Sequence, residues 1–129
     1  MDRTQLHSLL YVDDEPDIRE IVAMALGLVD NLVVQTCESG EQALRMIPAF
    51  KPNLILLDVM MPIMDGPATL SRMRADASLK AIPVIFVTAK AMPKEVAHYI
   101  EVGAAGVIAK PFDPIQFGEQ VVMLWERIN

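Results

Sequence analysis

Leu54-Ile55-Leu56-Leu57-Asp58 decides the fold, read together with Val84-Ile85-Phe86-Val87-Thr88. In both stretches the apolar residues occupy successive positions rather than every second one, and each run ends on a polar side chain. Apolar side chains at consecutive positions mean that both faces of a strand are covered, as in a parallel sheet held between helices. Further runs rich in β-branched residues, at Leu9–Val12, Leu32–Thr36 and Val107–Ala109, complete a set of five predicted strands.

Helical patterns with identifiable starts lie between these runs. Pro16 opens a first helix whose inward stripe is expected at Ile18, Ile21, Val22, Ala25 and Leu26, spaced three and four apart. Ser39 and Gln42 form a capping-box pair for a second, with Ala43, Leu44 and Ile47 inward. Gly66-Pro67 precedes a third with Leu70 and Met73 inward, and Pro93 suits the first turn of a fourth that Gly103 ends. Asp113-Pro114, with Gln116 behind, starts a fifth that runs to about Arg127. Strand–helix alternation of this kind specifies an α/β fold: a three-layer, open, parallel, five-stranded sheet with five helices.

The chain of 129 residues suits one compact domain, and its 53% hydrophobic content argues against disorder. A net charge of −6 argues against unaided binding to nucleic acid, which needs a basic footprint. The longest apolar stretch, around Ile21–Val29, is broken by Gly27 and is far too short to span a bilayer. No secretory leader is visible: Asp2 stands beside Arg3, and the run Leu9–Val12 ends in Asp13-Asp14-Glu15. A cytoplasmic location without membrane insertion is expected. Cys37 is the only cysteine, which leaves no internal disulfide and reads as a small core residue. His7 and His98 read as solvated surface residues. Most of the nine methionines read as core filler, with some of Met60, Met61 and Met64 free to face a partner.

In open α/β sheets chemistry gathers at the carboxyl ends of the strands. Asp13 and Asp14 follow the first strand, Asp58 the third and Lys110 the fifth, while Thr88 ends the fourth. Taken singly, each has an ordinary reading: Asp13-Asp14-Glu15 before Pro16 as a helix cap, Asp58 as a turn cap, Lys110 as a solvated side chain. Their joint placement on one sheet edge is the stronger observation. Clustered carboxylates repel one another unless a cation intervenes, and oxygen ligands without His or Cys suit a hard ion such as Mg²⁺. Lys110 and Thr88 offer a charge and a hydroxyl to phosphoryl oxygens, and a carboxylate can attack phosphorus to give an acyl phosphate. Asp58, between the acid pair and the Thr/Lys pair, is the best nucleophile candidate.

The segments Val12-Asp13-Asp14-Glu15, Leu56 through Gly66, Val87-Thr88-Ala89 and Lys110-Pro111-Phe112 resemble, in order and spacing, the response regulator receiver domain of two-component signalling. The resemblance covers essentially the whole chain and implies a single receiver domain over 1–129, of flavodoxin-like fold with strand order 2-1-3-4-5. It implies that Asp58 takes a phosphoryl group from a sensor histidine kinase or phosphotransfer protein. Asp13, Asp14, Asp58 and the backbone carbonyl of Met60 would hold Mg²⁺. Lys110 would contact the phosphoryl group and precede a cis bond to Pro111, Thr88 would move toward the phosphate, and Asp65-Gly66 would turn the chain into the third helix.

One position departs from the family. An aromatic residue commonly stands three before the lysine, where this chain has Val107, so phosphorylation is expected without the usual aromatic rotamer change. Met60 and Lys90 flank the site and are expected to tune the lifetime of the acyl phosphate. In the last helix Phe117, Val121, Leu124 and Ile128 form one apolar row, and Ile115, Val122 and Trp125 another; one row is expected to pack on the sheet and the other to be partly exposed as an interaction face, with burial of both rows as the alternative. Helix 4, strand 5 and helix 5 would then present a face to a downstream protein or a second copy. A DNA-binding regulator would continue past Asn129 with a helix-turn-helix unit; the start at Met1 leans instead toward a stand-alone regulator acting by protein contact, with no direct nucleic-acid binding. Two rivals differ in class. One is a receiver-like binding module that is never phosphorylated, and the intact acid, Thr and Lys set speaks against it. The other is a Mg²⁺-dependent phosphohydrolase with an aspartyl-phosphate intermediate, which would need a general acid near the nucleophile; Met60 stands two residues after Asp58, and no cap insertion is present.

Overall fold

Every residue of β3 (Leu54–Asp58) and β4 (Val84–Thr88) is buried, as their continuous apolar runs require. The computed structural model describes residues 5–128. Around the two central strands it places β1 (Ser8–Val12), β2 (Val33–Cys37) and β5 (Gly106–Ala109). The helices are α1 (Pro16–Leu26), α2 (Gly40–Phe50), α3 (Gly66–Ala75), α4 (Pro93–Glu101) and α5 (Pro114–Ile128). All neighbouring strands are parallel, in the expected order β2-β1-β3-β4-β5.

Alternate residues along each strand feed opposite faces. Leu10, Val12, Ile55, Leu57, Val84 and Phe86 pack with Ala43, Ile47, Leu70, Met73 and Tyr99 on one side. Leu9, Tyr11, Leu54, Leu56, Ile85 and Val87 pack with Val22, Ala25, Leu26, Phe117, Val121 and Trp125 on the other. Burying both sides of the sheet, at roughly 1.5–3 kcal/mol per large side chain, is what makes three layers the stable arrangement.

The helix starts follow local chemistry. Ser39 Oγ accepts the Gln42 N–H at 3.0 Å, while the Gln42 side chain reaches back to the N–H of Glu38 rather than to that of the cap residue. Asp65 Oδ1 accepts the Ala68 N–H at 2.9 Å and caps α3. Gly103, at φ 113°, turns the chain out of α4.

Two expectations about burial, at Ile21 and His7, need correction, and α5 shows how its two apolar rows are shared out. Ile21 is exposed, because the inward line of α1 runs through Val22, Ala25 and Leu26 against α5. Trp125 is buried, since steps of four from Phe117 through Val121 lead to it, and within its row only Ile115 lies fully open at 82% exposure. His7 is half-buried rather than solvated. Asn53 Oδ1 accepts the backbone N–H groups of His7 and Ser8 at 2.9 and 3.1 Å and draws this segment onto the start of β3. The His7 Nε2 is consequently buried, with no hydrogen-bond partner among the described residues. His98 is exposed, and Cys37 is buried, its thiol pushed up to about 11 mainly by burial.

The chain runs from β1 outward to β2 and then returns to the other side of β1 as β3. The switch in direction falls between β1 and β3, where loops part and leave a crevice. Val12 pairs with Leu57, so Asp13 and Asp58 leave the sheet side by side at that crevice.

Candidate functional site

Asp13, Asp58 and Thr88 are the buried polar residues at the carboxyl edge of the sheet. Among the described residues, Asp13, Asp14 and Asp58 offer carboxylate oxygens that all lie within 4.8 Å of one another, with Asp14 the most open of the three. Lys110, in the turn after β5, inserts its ammonium between two of them. Its Nζ stands 2.9 Å from Asp13 Oδ2 and 3.5 Å from Asp58 Oδ1. The Lys110–Pro111 peptide bond is cis, as expected.

The Asp13 and Asp58 carboxylates are held by further donors. Asp13 Oδ1 accepts the Glu15 N–H at 3.0 Å, and the Arg19 guanidinium donates to the Asp13 backbone carbonyl at 2.7 Å. Asp58 Oδ1 accepts the Met60 N–H at 3.3 Å, while the Met60 side chain is 56% exposed on the rim. Thr88 Oγ1 accepts the Lys90 N–H at 3.0 Å. Gly66 donates its N–H to the Val59 carbonyl at 2.9 Å and closes the loop after β3.

Electrostatics follow from this crowding. Burial and the Asp13 charge lift the Asp58 carboxyl to about 6, against the downward pull of Lys110 and the Met60 N–H. Burial pulls the Lys110 ammonium down, but its bond to Asp13 and the charges of Asp13 and Asp58 outweigh this and hold it above its ordinary value. One ammonium facing three carboxylates leaves the cluster short of positive charge. A donor set of oxygens alone fits a hard metal ion.

Two tyrosines escaped the sequence reading. Tyr11, fully buried on β1, donates its hydroxyl to Asp13 Oδ2 at 2.7 Å. Burial and the Asp13 charge hold its phenol far above the usual range. The signal was its place two residues before Asp13 on a strand, which puts both side chains on one face. Tyr99 packs edge-on against Phe86, ring centroids 5.3 Å apart, and donates to the Lys90 carbonyl at 3.1 Å. Val107 lies opposite Phe86 on β5 and is half-buried against the same core.

The family model of the response regulator receiver domain matches residues 9–122, a span that includes every one of these strand ends. The chain belongs to the response regulator receiver family. Phosphorylation-activated signalling is the standard function of that family. This receiver domain is 36% identical over 107 residues to response regulator Rre1 of Synechocystis sp., covering 83% of this chain and 46% of that protein. It is 39% identical to the phosphate regulon transcriptional regulatory protein PhoB of Pseudomonas aeruginosa, with the same coverage. The chain thus spans about half the length of the curated relatives it matches. Among solved structures, the chemotaxis response regulator CheY4 of Vibrio cholerae superposes with a TM-score of 0.83 at 28% identity, over 93% of this chain and 99% of that one. No helix among the described residues is long and apolar enough to cross a membrane.

Proposed function

We propose that Asp58 is the phosphoacceptor of this receiver domain, which extends over 1–129, and that it is phosphorylated by a sensor histidine kinase or phosphotransfer protein. The observation that carries the reading is the burial of Asp58 beside Lys110 and Asp13. With its pKa near 6, Asp58 is ionised at neutral pH yet more basic than an ordinary carboxylate, which suits a nucleophile. An Asp58 carboxylate oxygen attacks phosphorus, the P–N bond to the donor imidazole breaks, and the imidazole leaves with the bonding pair. Lys110 offers its ammonium to a phosphoryl oxygen and Thr88 its hydroxyl to another.

Mg²⁺, when bound, supplies positive charge against both the clustered carboxylates and the phosphoryl oxygens. Asp13, Asp14, Asp58 and the Met60 backbone carbonyl would hold it. In this reading the domain acts on no separate substrate; its chemistry is limited to its own phosphorylation and dephosphorylation in the cytoplasm. The signal then passes by protein contact through α4, β5 and α5, where Ile100 of α4 and Met123 of α5 are exposed, to a downstream partner or a second copy.

The test is intact-mass measurement after incubation with Mg²⁺ and a small phosphodonor. A single phosphoryl adduct is expected on the wild-type chain and none on Asp58→Asn. Multiple turnover without an adduct would instead support the phosphohydrolase, and an unmodified wild-type chain the inert module. The lifetime of the adduct is a separate expectation. Met60 stands exposed over Asp58, and a bulky apolar side chain there hinders a hydrolytic water. Met60→Asn should hydrolyse faster by a factor on the order of ten, which corresponds to ~1.4 kcal/mol of barrier. An unchanged half-life, followed by mass after the donor is removed, would remove Met60 from that role.

A further inference from the structure

Asp13 Oδ2 is a shared acceptor. It receives the Lys110 ammonium at 2.9 Å and the Tyr11 hydroxyl at 2.7 Å, at a carboxylate with no exposure to solvent. The two donors differ in freedom. Lys110 is a flexible amine that also stands 3.5 Å from Asp58 Oδ1 and is partly open to solvent. Tyr11 is locked: its ring is fully buried in the core between the sheet and the α1 and α5 helices, and its hydroxyl has one residue of chain between it and Asp13. Only one of these donors can leave.

We infer that Tyr11 is a positioning residue for the phosphorylated state: it keeps Asp13 Oδ2 hydrogen-bonded when Lys110 turns to the phosphoryl oxygen on Asp58. This rests on the reading of Asp58 as phosphoacceptor. A buried carboxylate oxygen stripped of its last donor is strongly disfavoured. Without the Tyr11 hydroxyl, Asp13 therefore retains Lys110, and the phosphoryl group loses its ammonium partner. With the hydroxyl in place, Lys110 is released and Asp13 stays in its position beside the acid cluster.

The consequence separates two steps. Binding of Mg²⁺ to the unmodified site leaves the Lys110–Asp13 contact available, so Tyr11→Phe should change Mg²⁺ affinity by less than about threefold. Binding of beryllofluoride to Mg²⁺-loaded protein, as a mimic of the phosphoryl group, needs the release of Lys110 and should weaken by about tenfold or more, the scale of losing one hydrogen bond to a charged group. Both affinities are measured by titration calorimetry, at a temperature well below the unfolding transition of each variant. Combined with Asp13→Asn, Tyr11→Phe should have little further effect on the beryllofluoride affinity, because a neutral amide no longer holds Lys110 by charge and the hydroxyl is not needed to release it. That double variant also separates the proposed role from a general loosening of the fold.

Equal weakening at both steps would overturn the inference, as would an unchanged beryllofluoride affinity or an additive effect in the Asp13→Asn background. A wild-type chain that fails to bind beryllofluoride at all would overturn the reading of Asp58 itself, and the two failures are thereby told apart.

Discussion

Asp58→Asn is expected to be more stable than the wild-type chain at pH 7.5 without divalent cations, by about 3 kcal/mol, with the difference vanishing below about pH 4. The Asp58 carboxyl titrates at about 6 in the native protein, against an ordinary value of 3.8, because burial and the Asp13 charge disfavour its ionised form. Between those two values the native chain binds more protons than the unfolded one, so stability falls as pH rises through the window. Above about pH 6 the penalty is complete and constant; below 3.8 both states are protonated and it is absent. The attraction to Lys110 is already contained in this net upward shift, so its loss in the amide variant does not reverse the sign. Asparagine is neutral at every pH and resembles the protonated acid in shape. Urea unfolding of both proteins from pH 3.5 to 8 reads the effect directly. A variant less stable than wild type at pH 7.5 would show that the Lys110 contact outweighs the crowding of the carboxylates. Added Mg²⁺ should stabilise the wild-type chain more than the variant, since the variant lacks the charge that a cation relieves.

That instability belongs to the chemistry. A carboxylate crowded by another and short of positive charge is held ready for a cation and for an electrophile, and the native state bears the strain through the rest of the core. β3 and β4 are buried along their full length, and this surplus of apolar burial allows charged groups to stand at their ends.

The same two strands explain why the architecture was legible from sequence. Consecutive apolar residues have only one stable environment, a two-sided sheet, and the polar residue that ends each run marks the edge where function gathers. The strand-end positions of Asp13, Asp14, Asp58, Thr88 and Lys110 therefore point to one crevice from the sequence alone. What escaped depends on helix rotation and on side-chain reach. Ile21 falls on the wrong side of the predicted stripe, and the choice between the two rows of α5 stays open in the sequence, because a three-or-four spacing leaves the stripe free to rotate until α1 and α5 pack on each other. Tyr11 was hidden inside a run read only as apolar strand, because its hydrophobic ring satisfies the pattern while its hydroxyl serves Asp13. His7 was read as solvated because the clamp that holds it, Asn53, lies 46 residues further along the chain.

Gly66→Ala is expected to destabilise the protein by on the order of 2–3 kcal/mol and to weaken Mg²⁺ binding about tenfold. A Cβ at position 66 would stand 2.7 Å from the Asp58 carbonyl oxygen and 2.8 Å from the Val59 Cα, both backbone atoms that no side-chain rotation can move aside. Gly66 also donates its N–H to the Val59 carbonyl at 2.9 Å, so α3 cannot retreat without breaking the bond that closes the loop. Alanine would gain up to about 1 kcal/mol in helix propensity, which the clash exceeds. The strain must then pass into the end of β3, and displacing the Asp58 backbone carries its carboxylate away from Asp13 and Lys110. Gly106→Ala is the control: a Cβ there meets Leu124 Cδ2 at 3.6 Å and Ile85 Cγ1 at 3.7 Å, ordinary contacts with side chains, and stability should change by less than about 0.5 kcal/mol. Urea midpoints for both variants, with Mg²⁺ titrations of each, measure the contrast. A Gly66→Ala protein as stable as Gly106→Ala would show that the loop after β3 yields freely, and the tight coupling between the start of α3 and the position of Asp58 would have to be abandoned.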